Sequence, residues 1–151
     1  DLALVLESLY EYLLSRNTSK KFRALWNPCD DSIWGYGISV YEYLKYYVEL
    51  LFKNEAYYDY VPIHCIWEHK RCMLMRIEYM EKNGFISDSH QIKNMYMDLE
   101  HKSLILRNKM LKYGVTKNQH ILKEIINSIT ELFNSEHLAI KKLIVDIENR
   151  K

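Results

Sequence analysis

Glycine and proline are scarce in this 151-residue chain, which contains 4 glycines and 2 prolines. Because an all-β fold needs frequent turns, and these two residues supply many of them, their scarcity argues against such a fold and favours long helices. Hydrophobic residues make up 48% of the chain and charged residues 27%, a balance typical of globular proteins, and 151 residues is the usual size of one domain. We therefore predict a single all-α domain over residues 1–151.

The chain also lacks an excess of charge of one sign, since it has 21 basic and 20 acidic residues. A surface that binds nucleic-acid phosphates normally carries a clear basic excess, so we predict no nucleic-acid binding. No apolar run approaches the roughly 18 residues of a membrane span, and no signal-peptide pattern opens the chain. We expect no membrane contact and a cytoplasmic location. The first residue is Asp1 rather than Met, which fits a processed product, a trimmed chain or a piece of a larger protein.

Apolar residues recur at helical spacing in five segments. A short N-terminal helix covers 2–14 and is followed by an aromatic-rich loop, 26–37. Four long helices follow, and because the last three are joined by short links we expect mostly antiparallel neighbours. The predicted segments are 38–53, a helix with Pro62 in its first turn that runs to about Asn83, a helix that Asp88 caps and that runs to Tyr113, and a last helix of about 30 residues ending near 147.

Glycines and capping boxes predict where these helices begin and end. Gly84 and Gly114 are the expected C-terminal stops. Asp88 with Gln91 and Thr116 with Gln119 have the spacing of a capping box, which marks a helix start.

Cysteine is also rare, with Cys29, Cys65 and Cys72 as its three positions, and we expect reduced thiols. On a helix, Cys65, His69 and Cys72 share one face at spacings of four and three, so they are the candidate metal ligands. Structural zinc needs a fourth ligand, which would have to come from Cys29 in a distant loop. Cysteines beside an apolar face are often small core residues. We therefore predict no metal and no cofactor.

Lys70 falls near the centre of the apolar face of its predicted helix. A buried ammonium must meet a carboxylate or extend to solvent, because its desolvation is costly. One interpretation is that its stem packs in the core while its head reaches Glu42 or Glu49. The other is a polar pocket inside the bundle that involves His69 or Glu68.

Motifs of catalysis are missing as well. The chain contains no Gly-x-Ser-x-Gly, no phosphate-binding glycine loop and no Glu-x-x-His pair of the di-iron bundles. We therefore name no catalytic residue. Tyrosine, in contrast, is abundant, with 13 copies, and it suits the boundary between a core and a wet pocket. The predicted ligand-pocket residues are Tyr41, Tyr47, Tyr57, His69 and Lys70.

Two stretches carry a family resemblance. Residues 36–44 read YGISVYEYL, and residues 63–80 contain IHCIWEHKRCM and RIEYM. Over positions 34–83 the chain resembles the helical C-terminal region of butirosin-biosynthesis-H-like proteins, which are papain-like, cysteine-peptidase-related proteins associated with natural-product clusters. The resemblance implies that the family's catalytic cysteine and histidine lie in an N-terminal papain-like domain, which no segment of this chain matches.

Three hypotheses of function follow. The resemblance implies an accessory helical domain of a cysteine-dependent acyltransferase or peptidase-like protein, which shapes a substrate or carrier-protein site and has a papain-like domain or a carrier protein as its partner. The first alternative is a stand-alone, non-catalytic interaction or regulatory bundle, with a homo-oligomer as one form. The second is a bundle that binds a small ligand in the tyrosine-lined pocket.

Overall fold

The computed structural model describes residues 1–21, 35–87 and 90–150. Across these ranges the chain contains helices and no strand, so the all-α prediction is confirmed. Of the predicted aromatic loop, residues 26–34 lie outside the described residues, and Cys29 with them. The five α-helices are α1 (Leu2–Leu13), α2 (Val40–Phe52), α3 (Val61–Lys82), α4 (Gln91–Thr116) and α5 (Gln119–Glu148).

Three of the helices end in the same left-handed motif. The residue after the C-cap has a positive φ at Ser15 (53°), Asn54 (60°) and Gly84 (72°). After α3, the Gly84 amide donates to the carbonyl of Glu81 at 3.1 Å, and the Phe85 amide donates to that of Met80 at 2.9 Å. This is the Schellman pattern, which satisfies carbonyls that the helix leaves unpaired. The predicted stop at Gly84 and the predicted place of Pro62 in the first turn of α3 are both confirmed.

The predicted boundary between the last two helices is wrong. Helix α4 continues through Gly114 to Thr116 and ends at Lys117, whose φ is 54°. Gly114 serves close packing instead, because a Cβ at this position would lie 2.4 Å from the hydroxyl oxygen of Tyr58. Asn118, rather than Thr116, caps α5, since its side chain accepts from the His120 amide at 2.9 Å. Asp88 of the other predicted capping box lies outside the described residues.

Helices α3, α4 and α5 form an antiparallel set. Lys93 of α4 pairs with Glu78 of α3, and further along α4 Lys102 pairs with Glu131 of α5. The link between α4 and α5 is two residues long, which forces the two helices into an antiparallel hairpin. Each large apolar side chain that the bundle buries contributes on the order of 1.5–3 kcal/mol to the free energy of folding. The side chains with no exposed surface include Ile63, Ile77, Leu99, Leu106, Met110, Leu122, Ile125 and Ile147.

Helices α1 and α2 pack on α5, and their buried side chains join the same core. Helix α1 also lies beside α3, where the Tyr12 ring stacks on the His69 ring with centroids 5.3 Å apart. Further along, α1 and α3 separate and leave a groove whose floor is α5. Within the described part of the chain, no helix combines the length and the hydropathy needed to cross a membrane.

Candidate functional site

A buried ion pair lies where α3, α5, α1 and α2 meet. The Lys70 ammonium on α3 and the Glu136 carboxylate on α5 are 2.6 Å apart, and both side chains are 0% exposed. Lys70 therefore occupies the apolar face, as its position in the sequence predicted. Its predicted partners Glu42 and Glu49 are exposed on α2, so the interpretation in which Lys70 reaches either of them is wrong. Of the other interpretation, the polar pocket, the structure has the contact between Lys70 and His69, but Lys70 is fully buried rather than in an open pocket, and Glu68 is exposed.

Glu136 was missed by the sequence reasoning, although a signal for it exists. It follows Leu132 by four residues and precedes Ala139 and Ile140 by three and four, so it lies on the buried stripe of α5. A carboxylate on such a stripe requires a cation or several donors, because its desolvation is costly. Lys70 was the one charged residue placed on the opposing apolar stripe of α3.

Two tyrosine hydroxyls complete the shell of the Glu136 carboxylate. Tyr41 of α2 donates to Oε2 at 2.6 Å, and Tyr12 of α1 donates to the same oxygen at 3.2 Å. The Lys70 ammonium also lies 5.4 Å from the centre of the Tyr41 ring and 5.8 Å from that of Tyr12. Burial and the Glu136 charge raise the pKa of both phenols, so they remain donors. Four helices are thus tied to one carboxylate.

His69 connects this cluster to the protein surface. The Lys70 ammonium donates to its Nδ1 at 2.9 Å. Burial, followed by the neighbouring Lys70 charge, lowers the pKa of His69 to about 4, so the imidazole is neutral at pH 7. Because Nδ1 accepts, the ring proton lies on Nε2. This N–H has no acceptor among the described residues. Because it is not among their buried polar atoms without a partner, it is accessible to solvent.

A third phenol, Tyr96 of α4, is also fully buried beside the carboxylate. Its hydroxyl has no hydrogen-bond partner within the described ranges. Burial raises its pKa, and the Glu136 charge raises it further. An unpaired buried hydroxyl is a local energetic defect, which distinguishes Tyr96 from Tyr41.

A cavity of about 380 Å³ opens between α1 and α3. At one end its wall is made by Tyr12 and His69, which also contact Lys70, so the buried cluster lies directly behind that wall. Apart from Ser8 and Arg76, the rest of the lining is apolar, and Ile140 and Leu143 of α5 form the floor. The remaining apolar lining residues are Leu4, Val5, Leu9, Met73, Ile77 and Met80.

The five predicted pocket residues do not line one pocket. The structure brings Tyr41, His69 and Lys70 together, and His69 alone of these lines the cavity. Tyr47 bonds through its hydroxyl to the connector before α3, where it donates to the carbonyl of Tyr57 at 2.9 Å. The Tyr57 side chain itself is 96% exposed, because the connector turns its backbone, not its ring, toward Tyr47. Tyr12 and Glu136, which the sequence reasoning missed, take their place.

The candidate metal ligands are also separated. Cys65 and Cys72 are free and exposed, while Nδ1 of His69 is occupied by the Lys70 ammonium. Among the described residues, no group of three His, Cys, Asp or Glu side chains is arranged to hold a metal ion. Cys65, His69 and Cys72 therefore form no three-ligand group among the described residues, and the fourth candidate, Cys29, lies outside them.

No family model, curated protein or solved structure matches this chain. The resemblance to butirosin-biosynthesis-H-like proteins, and the accessory-domain function that it implies, stay predictions. The site must be interpreted from its own residues and their chemistry.

Proposed function

We propose that this protein is a non-catalytic helical bundle that binds a small, mainly apolar molecule in the cavity between α1 and α3. The observation that carries the proposal is the composition of that cavity. Its walls are apolar over most of their length, and one end presents two polar side chains, Tyr12 and His69. An apolar pocket of a few hundred Å³ with few polar groups is typical of small-molecule sites.

The buried cluster supports binding because it holds the polar end of the cavity in place. Tyr12 is fixed by its bond to Glu136, and His69 is fixed by the Lys70 ammonium and by stacking on Tyr12. A wall that is already ordered loses little conformational entropy when a ligand binds. The cluster thus acts as a support behind the site.

The same geometry argues against acid–base catalysis at neutral pH. Lys70 and Glu136 have no exposed surface and neutralise each other, so neither reaches a molecule in the cavity. His69 does line the cavity, but a pKa of about 4 leaves it neutral and a weak base at pH 7. General acid–base catalysis is most efficient when the pKa of the group lies near the working pH.

Filling the cavity tests the proposal. Ser8 lines it from the exposed side of α1, so Ser8→Trp places an indole in the binding space without disturbing the core. Ala3→Trp, also exposed on α1 but outside the cavity lining, is the matched control. We expect the wild type and Ala3→Trp to bind the neutral apolar dye Nile red at a single saturable site. Ser8→Trp should weaken that affinity by about tenfold or more. Equal affinity in all three proteins would refute the proposal.

A further inference from the structure

The cavity continues into a second one, and together they form a groove along α3. The second cavity, about 590 Å³, shares Val5, Arg76 and Met80 with the first. From His69 to Met80 the wall runs for about 16 Å at the helical rise. The groove is longer than a compact ligand requires, and its apolar lining suits an extended hydrocarbon chain.

The rim of this groove exposes large apolar side chains. Leu4 is 63% exposed, Met75 63% and Tyr79 62%, and they lie on the two helices that flank the groove. Leu4 lines the first cavity, while Met75 and Tyr79 line the second. Exposed apolar side chains along the rim of a groove are typical of binding sites.

Arg76 is the cation of the groove, and it lines both cavities. Arg76 is exposed, and no described carboxylate forms an ion pair with it. Within the described ranges its guanidinium has one hydrogen bond, to the sulfur of Met73 at 3.7 Å, one turn back along α3. That contact directs the guanidinium toward the His69 end of the groove. Burial and the Lys70 charge account for most of the lowered pKa of His69, and the Arg76 charge lowers it slightly further.

His69 offers a second donor at the same end of the groove. Its Nε2–H has no acceptor in the described part of the chain, and its Nδ1 is fixed by Lys70. A guanidinium fork and a nearby N–H donor suit the two oxygens of a carboxylate. A multiply charged anion fits less well, because Arg76 is the one Lys or Arg side chain among the described lining residues and the Asp1 carboxylate lies in the second cavity.

We infer that the ligand is a free long-chain monocarboxylate, with its carboxylate held by Arg76 and His69 and its hydrocarbon chain lying in the groove toward Met80 and Phe85. This inference rests on the proposed function and adds the chemical class of the ligand. The length and the apolar lining of the groove favour a ligand with a long hydrocarbon chain. The Arg76 guanidinium, which has no ion pair among the described residues, favours a negatively charged head group.

Calorimetry with a matched ligand pair tests the inference. Dodecanoate and dodecanol, both below their aggregation limits, differ in the head group and share the chain. We expect the wild type to bind dodecanoate about tenfold more tightly than dodecanol. Arg76→Gln should abolish that preference while leaving dodecanol binding unchanged, and His69→Gln should reduce the preference in part. Arg71→Gln is the control, because Arg71 is exposed on the same helix and lies over the Trp67 ring, outside the groove.

The outcomes separate this inference from the proposed function. If dodecanol binds as tightly as dodecanoate and Ser8→Trp weakens both, the groove binds apolar molecules and the carboxylate inference is wrong. If neither ligand binds and Nile red binding is insensitive to Ser8→Trp, both are wrong. If sedimentation shows a dimer that dodecanoate does not dissociate, or if the protein binds anionic vesicles without competition from dodecanoate, another occupant covers the groove and the inference is overturned.

Discussion

Helix α5 faces α4 on one side and α1 and α3 on the other, and the two sides differ in how completely packing excludes solvent. Toward α4 the contact is apolar and complete, and Leu106 and Leu122 have no exposed surface. Toward α1 and α3 the contact is open, with a mostly apolar groove and the buried Lys70–Glu136 pair behind one end of it. A two-residue link holds α4 on α5, whereas the chain after α1 runs from residue 14 to 39 before α2 begins. Apolar packing thus closes the side toward α4, whereas the side toward α1 and α3 holds both the buried ion pair and the recognition chemistry.

The largest effect is expected from breaking the ion pair on the open side. Lys70→Met leaves the Glu136 carboxylate buried without its cation, which typically costs about 3–5 kcal/mol of the free energy of unfolding. Urea denaturation monitored by circular dichroism measures the loss.

The double variant Lys70→Met/Glu136→Leu is the control for this prediction. Because it removes both charges, it should be more stable than Lys70→Met alone, although Tyr41 and Tyr12 then lose their acceptor. A double variant that is no more stable than the single variant would show that the pair is not coupled as described.

Truncating one leucine to alanine on each side of α5 compares how much the packing on the two sides contributes to stability. Leu122→Ala creates a void in the closed side and should cost about 2–5 kcal/mol. Leu143→Ala should cost less, because Leu143 lines the cavity and its truncation enlarges a space that water already reaches. Both side chains are almost fully buried, so burial alone predicts equal losses. Equal losses in urea denaturation would contradict the open groove.

Lowering the pH should destabilise the side of α5 that faces α1 and α3 before the side that faces α4. The pKa of His69 in the folded protein, about 4, is below its unfolded value of about 6.5, so the unfolded chain binds a proton more readily. The contribution of His69 to the free energy of unfolding is therefore fully present above about pH 6.5. It falls by on the order of 3 kcal/mol as the pH decreases toward 4. The groups that face His69 are Lys70, Glu136, Tyr12 and Arg76.

His69→Gln isolates this contribution. Glutamine retains an acceptor for the Lys70 ammonium and does not titrate in this range. Subtracting its stability-versus-pH curve from that of the wild type should leave a loss confined to pH 6.5–4, measured by urea denaturation at each pH. A flat difference would show that His69 is not desolvated as the structure has it.

Two buried tyrosines around one carboxylate should respond differently to the loss of their hydroxyls. Tyr41→Phe removes a hydrogen bond to a charged group and should cost about 1.5–3 kcal/mol. Tyr96→Phe removes a hydroxyl without a partner in the described part of the chain and should change stability by less than about 0.5 kcal/mol, or increase it. Thermal unfolding of the two variants measures the difference, and similar losses would show that Tyr96 has an acceptor.

Local signals predicted much of the fold but little of the site. Pro62 and Gly84 mark the ends of α3 because a missing N–H and a positive φ are local requirements. Gly114 misled the prediction because its role, close contact with Tyr58, depends on tertiary packing. The periodicity of α3 placed Lys70 in the core, yet its partner Glu136 is 66 residues away and could not be assigned without knowing how α3 and α5 pack.

The smallest effect is expected from an exposed ion pair on the closed side. Lys102 bridges Asp98 at 2.9 Å and Glu131 at 3.0 Å, but both carboxylates are more than half exposed. Lys102→Met should therefore cost less than about 1 kcal/mol, and added salt should shrink the loss further. Lys70→Met makes the same substitution in the buried pair. The two variants therefore differ in how deeply the carboxylate that loses its cation is buried. If Lys102→Met cost as much as Lys70→Met in urea denaturation, desolvation would not explain the difference between the two sides of α5.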